Sequence, residues 1–182
     1  MLLNAVGYRD RAKKVIKSIN NIGLVIDGGL VRRRLKQGSF DPVANIIYSS
    51  DNAYWGLLLN AVGKKFRAIK VIKSMKKIGL LRDDGLVSYD VMKNGPVLSS
   101  NIYSYNNALW GMLLNAVGKK RKAIKVIKSM KNIGLVRRDG LVDSSKNPNH
   151  LYGDMRLYSY NNALWGLCLH PEGYKVFTGE TE

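Results

Sequence analysis

Three segments of the chain restate one another at a fixed interval. Tyr48-Ser-Ser-Asp-Asn-Ala-Tyr-Trp-Gly returns as Tyr103-Ser-Tyr-Asn-Asn-Ala-Leu-Trp-Gly and again as Tyr158-Ser-Tyr-Asn-Asn-Ala-Leu-Trp-Gly, 55 residues apart each time. A period of that length means an array of one supersecondary unit, which cannot bury its apolar face alone and is stabilised by its stacked neighbours. The units run about 1–47, 48–102 and 103–157, with a partial fourth at 158–182, and together read as one repeat domain.

Within the second unit, the stretch from Asp51 to Val62 is apolar almost all round, as a helix buried on most of its sides must be. Asp51 or Asn52 is placed to accept from the free amides of its first turn, and Gly63 to close it. The next stretch, Lys65 to Ile78, puts Ala68, Ile69, Val71, Ile72, Met75 and Ile78 on one side at helical spacing. Lys70, Lys73 and Lys77 lie opposite. Gly79 ends this second helix. Asp84-Gly85 then marks a tight turn between apolar residues, and a longer polar loop leads to the next Tyr-Ser.

An all-round apolar helix alternating with a one-sided amphipathic one predicts an all-α fold of α/α hairpins in two layers. The apolar helices lie inside and the lysine-bearing helices cover them. Because the inner helices are copies running the same way, the long loops gather at one end, over the inner helices' N-termini, where loop residues and helix dipoles converge.

Composition narrows the function classes. With 182 residues, nearly half of them apolar, the chain can bury a sizeable core. A single cysteine, Cys168, precludes an intrachain disulfide and fits a reducing compartment, so a cytoplasmic location is expected. No apolar run approaches the length of a membrane span, and Met1-Leu-Leu-Asn-Ala-Val-Gly is too short and lacks the basic leader of a secretory signal. The net charge of +17 attracts polyanions whatever their sequence.

The order Tyr-Ser-x-Asn-Asn-Ala-Leu-Trp-Gly-Leu-Leu-Leu, then Ala-Ile-Lys-Val-Ile-Lys, then Gly-Leu-x-x-x-Asp-Gly-Leu-Val resembles the hairpin unit of the six-hairpin glycosidases, the (α/α)6 toroids. The likeness spans essentially the whole chain and lies in architecture and cadence, without the catalytic signature of any one member family. It implies a carbohydrate-active, glycoside-hydrolase-like protein with an oligosaccharide ligand and carboxylate chemistry. Six such units need about 330 residues, so this chain corresponds to about half a toroid, and the resemblance does not imply activity for that part alone. No polar capping repeats are evident, so apolar edges are left exposed and self-association is expected. A monomeric mass in dilute solution, by light scattering, is the contrary result.

Glycoside chemistry needs one carboxyl group to protonate the leaving oxygen and a second to activate water or attack. Glu172, Glu180 and Glu182 are the only glutamates and lie in the divergent tail. Asp51 stands out because its counterparts are Asn106 and Asn161; it is a candidate base or hydroxyl acceptor, although a helix cap explains an Asp/Asn exchange more simply. Asp154, just before the fourth inner helix, has no counterpart and is the second catalytic candidate. Asp84 and Asp139 recur in every Asp-Gly-Leu-Val and read as turn residues.

Tyr48, Tyr103 and Tyr158, with Tyr105 and Tyr160, fall where the loops converge, beside Asn106 and Asn161. Flat aromatic faces next to amides suit a sugar ring, whose C–H face packs on the aromatic while its hydroxyls meet polar groups. Loop anchoring, repeated with the unit, is the alternative reading. Trp55, Trp110 and Trp165 read as core. His150 and His170 are isolated, so no metal site is expected; no phosphate-binding glycine loop is present, and no cofactor is expected.

The competing function is a basic helical-repeat protein that binds nucleic acid, or a scaffold, without catalysis. Lys70, Lys73, Lys76 and Lys77 in one unit and Lys125, Lys128 and Lys131 in the next have no acids among them, and stacking aligns them. That case rests on charge, since a 55-residue unit does not match the shorter repeats that read one base each.

Overall fold

The computed structural model describes residues 9–33, 45–92, 95–99, 101–146 and 156–169. Its elements follow the repeat. Helix α1 (Arg9–Asn21) leads to a short 3-10 turn at Asp27–Gly29. The second unit comprises strand β1 (Ile46–Tyr48), helix α2 (Ser49–Ala61), helix α3 (Lys65–Lys77) and strand β2 (Asp90–Met92). The third comprises β3 (Ile102–Tyr103), α4 (Ser104–Ala116), α5 (Lys120–Asn132) and β4 (Ser145–Lys146); α6 (Ser159–Leu169) opens the fourth.

Helices α2, α4 and α6 form the inner layer, each packed against the next, and α3 and α5 cover α2 and α4. Ser49 near the start of α2 touches Asn106 near the start of α4, and Gly56 midway meets Leu113, so neighbouring inner helices run in the same direction. The all-round apolar pattern is realised as burial: Ala53, Leu57, Ala108, Leu109 and Leu113 are wholly shielded from solvent. On α3 only Ala68, Val71, Ile72 and Met75 are buried. Tyr54 departs from the expected enclosure and is 38% exposed.

The inner helices begin two residues earlier than the sequence implies, and neither Asp51 nor Asn52 caps them. Tyr48 is the N-cap and makes no side-chain cap bond. Instead the Ser49 amide and hydroxyl both donate to the Tyr89 carbonyl, at 3.0 and 3.2 Å. Ser104 does the same to the Ser144 carbonyl, also at 3.0 and 3.2 Å. The acceptor is the residue just before a distant strand rather than a local side chain, so Asp51 in the first turn is not needed as a cap. The strands that follow it pair antiparallel with those before the helices, β1 with β2 and β3 with β4, with Tyr48 opposite Asp90 and Tyr103 opposite Ser145.

The helix ends are those expected. Gly63, at φ +83°, donates to the Asn60 carbonyl while Lys64 donates to that of Leu59, both at 2.8 Å, which satisfies two orphan carbonyls in a Schellman motif.

The repeated motif also explains why units adhere. Asn52 accepts from the Val31 amide at 2.8 Å and donates to the Val31 and Tyr48 carbonyls at 3.0 and 2.9 Å. Asn107 repeats this on Val87 and Tyr103, and Asn162 on Val142 and Tyr158. One turn later the indoles of Trp55, Trp110 and Trp165 donate to the carbonyls of Gly29, Gly85 and Gly140, at 3.1, 3.2 and 3.1 Å. Each inner helix therefore hooks the Gly-Leu-Val turn of the preceding unit. The glycine after the tryptophan permits close helix approach: a Cβ at Gly56 lies 2.8 Å from two Leu113 methyls, and one at Gly111 lies 2.7 Å from Cys168 Sγ.

Candidate functional site at the loop end

Where the loops meet the inner helices, six tyrosines from three units form a continuous row. Centroid separations are 5.3 Å from Tyr48 to Tyr89, 4.8 Å from Tyr89 to Tyr103 and 6.1 Å from Tyr103 to Tyr105. The row continues at 6.2 Å from Tyr105 to Tyr160 and 5.5 Å from Tyr160 to Tyr158. These spacings and their mostly edge-to-face angles are those at which aromatic quadrupoles attract. Tyr48 is nearly buried, while Tyr160 keeps 53% of its surface in solvent, so the row passes from the protein interior to the open face.

Arg33 joins the buried end of the row. Its guanidinium carbon sits 3.6 Å above the Tyr48 ring, and its two nitrogens reach the two carboxylate oxygens of Asp51 at 3.0 and 3.1 Å. The fork-to-fork hydrogen bond to Asp51 holds the Arg33 proton more firmly than usual, against the opposing effect of burial. A cavity of about 290 Å³ opens beside this pair, with Tyr54, Leu58 and Ile19 in its walls.

The second carboxyl group here is Asp90, on β2 directly across from Tyr48. It is 7% exposed, and its Oδ1 has no hydrogen-bond partner. Burial pushes the Asp90 carboxyl above the usual carboxylate range; a hydrogen bond from the Ser99 backbone and the charge of Arg33 oppose that shift without cancelling it. Burial likewise pushes the Tyr105 hydroxyl up, with Tyr89 adding to the effect and a hydrogen bond with Ser50 opposing it. The loop end thus pairs a carboxyl group that tends to hold its proton with a carboxylate clamped by arginine, beside a wall of aromatic faces.

The expected tyrosines and Asp51 all come to this place. Asn106 and Asn161 are there too, fully buried: Asn106 donates to Ser49 Oγ at 2.5 Å with its oxygen unpartnered, and neither amide atom of Asn161 has a partner. Asp154 lies outside the described residues. Asp84 and Asp139 are turn residues, each accepting from a backbone amide two residues on, Leu86 at 2.9 Å and Leu141 at 3.1 Å. Among the described residues no three His, Cys, Asp or Glu side chains converge to hold a metal ion. Arg33, Tyr89 and Asp90 were not anticipated, although one signal pointed to the last two: Ser144 and Ser145 occupy their places in the next copy.

By sequence, no protein-family model matches the chain, and no curated protein gives a significant match. By structure, the chain is similar to an endo-β-1,4-glucanase from Acetobacter xylinum, with TM-score 0.55, 15% identity, 70% of this chain covered and 41% of the enzyme. It is also similar to the unsaturated glucuronyl hydrolase of Bacillus sp. GL1, described as responsible for glycosaminoglycan degradation, with TM-score 0.61, 12% identity and coverages of 96% and 55%. The fold is that of the six-hairpin glycosidases. The chain is similar as well to an α-amylase from Clostridium perfringens, at TM-score 0.57 and 16% identity, over 99% of this chain and 54% of that one. The chain spans about half the length of these solved relatives. At such identities the likeness is one of six-hairpin fold, and the residues of the loop end must argue the activity themselves. No helix among the described residues is long and apolar enough to cross a membrane.

Proposed function

We propose that the protein binds a carbohydrate chain on the tyrosine row and cleaves it with a pair of carboxyl groups. The observation that carries this reading is Asp90: a buried carboxyl with an unpartnered oxygen and an elevated proton affinity, set beside edge-to-face aromatic rings. Such a group suits protonation of a leaving glycosidic oxygen. Asp51, paired with Arg33, supplies the fixed negative charge that the second role in glycoside chemistry requires. In this reading Tyr103, Tyr105 and Tyr160 meet sugar faces while Asn106 and Asn161 support the floor. The test is release of new reducing ends from a panel of oligosaccharides by the intact chain, compared with Asp90→Asn.

Self-association is part of the same proposal. Gly56 and Gly111 face the next inner helix, at Leu113 and Cys168, whereas a Cβ at the equivalent Gly166 on α6 would meet nothing within 4 Å. Covering that face with a second copy extends the inner layer, and light scattering should then report at least twice the 20.4 kDa chain mass.

A further inference from the structure

Away from the loop-end site, the outer wall carries three clefts that occupy equivalent places in successive units. Each lies against the turn glycine (Gly29, Gly85 or Gly140) and is bounded by the following unit's tryptophan (Trp55, Trp110 or Trp165). A leucine one turn further along the inner helix (Leu59, Leu114 or Leu169) completes each apolar floor. Their volumes are about 210, 250 and 400 Å³. The first two exist because each outer helix packs chiefly on its own inner helix, so neighbouring outer helices splay apart and leave a gap over the turn between them.

The rims of these clefts are cationic. The first has Arg67 and Lys70, the second Lys76, Lys122 and Lys125, and the third Lys131 and Arg138. Arg82 and Arg137 also line the second and third clefts but are held by Asp84 and Asp139, at 3.1 and 3.4 Å. The second cleft includes one carboxylate, Asp83, and the other two include none. Lys125 donates to the Asp83 carbonyl at 2.9 Å, which fixes its ammonium at the mouth with further donors to spare.

We infer that these clefts bind single-stranded nucleic acid, with the phosphodiester backbone on the rim lysines and bases entering the apolar gaps. A band of charge alone would need no cavities. An apolar floor beneath a cationic rim matches a ligand that joins flat apolar rings through anionic links. Two of the clefts fall below the lower end of small-ligand site volumes, about 300–1,000 Å³, and the third lies just above it, which is the scale of one nucleotide. A duplex keeps its bases stacked and cannot fill them. A sulfated glycan matches the charge, but its hydroxyls would face leucine and an indole whose N–H is already committed to the turn carbonyl.

The experiment is fluorescence anisotropy of a labelled single-stranded RNA of mixed sequence, about 12 nucleotides long, with the full chain. Lys70→Gln/Lys122→Gln removes two rim charges, and Lys73→Gln/Lys128→Gln removes two exposed charges from the same kind of helix outside the clefts. The first pair should weaken binding about tenfold and the second less than about threefold, a difference that general charge screening cannot produce. Unlabelled single-stranded RNA should compete better than inorganic polyphosphate or a sulfated oligosaccharide of matched charge. Equal weakening by the two pairs, equal competition by polyphosphate, stronger competition by the sulfated oligosaccharide, or no binding of the RNA overturns the inference.

Discussion

Replacing Asn107 by alanine should destabilise the chain by about 3–5 kcal/mol, read as a shifted midpoint in urea or thermal unfolding. Its side chain holds the Val87 amide at 2.8 Å, the Val87 carbonyl at 3.2 Å and the Tyr103 carbonyl at 3.0 Å. Val87 is fully buried, so no water replaces those bonds, and a buried group left unpaired costs more than a hydrogen bond gains. Against a total stability of about 5–15 kcal/mol for a domain, that loss is large. The preceding residue supplies the contrast. Asn106 is equally buried and donates to Ser49, but its oxygen has no partner to lose, so Asn106→Ala should cost about 1 kcal/mol. Similar costs for the two asparagines would contradict the assignment of Asn107 as the hook between units.

Asp90→Asn should abolish proton donation while making the protein more stable at neutral pH. If Asp90 protonates the leaving oxygen, turnover should fall about 10²–10⁴-fold. The stability change follows from its raised proton affinity. Above the ordinary carboxylate pKa of 3.8 the unfolded chain has released this proton while the folded chain retains more of it, so stability falls as pH rises until the folded group also ionises. Either keeping the proton or ionising in a desolvated place costs the folded state relative to the unfolded one above pH 3.8, and an amide of nearly the same shape removes that cost. A gain in stability with loss of turnover is the signature of a group kept for function. Undiminished turnover would remove Asp90 from the chemistry, and an unfolding midpoint lowered at pH 7 would make its role structural.

The repeat made the layers, the helix-closing glycines and the lysine-bearing outer faces legible, because each depends on local spacing. The helix starts were not. Their acceptors, the Tyr89 and Ser144 carbonyls, lie 40 residues away in sequence, just before strands too short to announce themselves. The same non-locality hid part of the site. The tyrosine row could be read from the motif, but Arg33 reaches Asp51 across 18 residues and Asp90 meets Tyr48 only through strand pairing. Asp51 changed character as a result: a residue that looked like a cap is one half of a bidentate ion pair. Asn52, read as a possible cap, is instead the hook that holds the turn of the preceding unit.

The measurement that bears most directly on the loop-end site is an amide NMR titration of the intact chain with short oligosaccharides. The tyrosine row and Asp90 predict that the largest shifts fall on Tyr89, Asp90, Tyr103, Ser104 and Tyr105, with α3 and α5 nearly silent. Shifts confined to the outer helices, or none at saturating sugar, would contradict a carbohydrate site at the loop end.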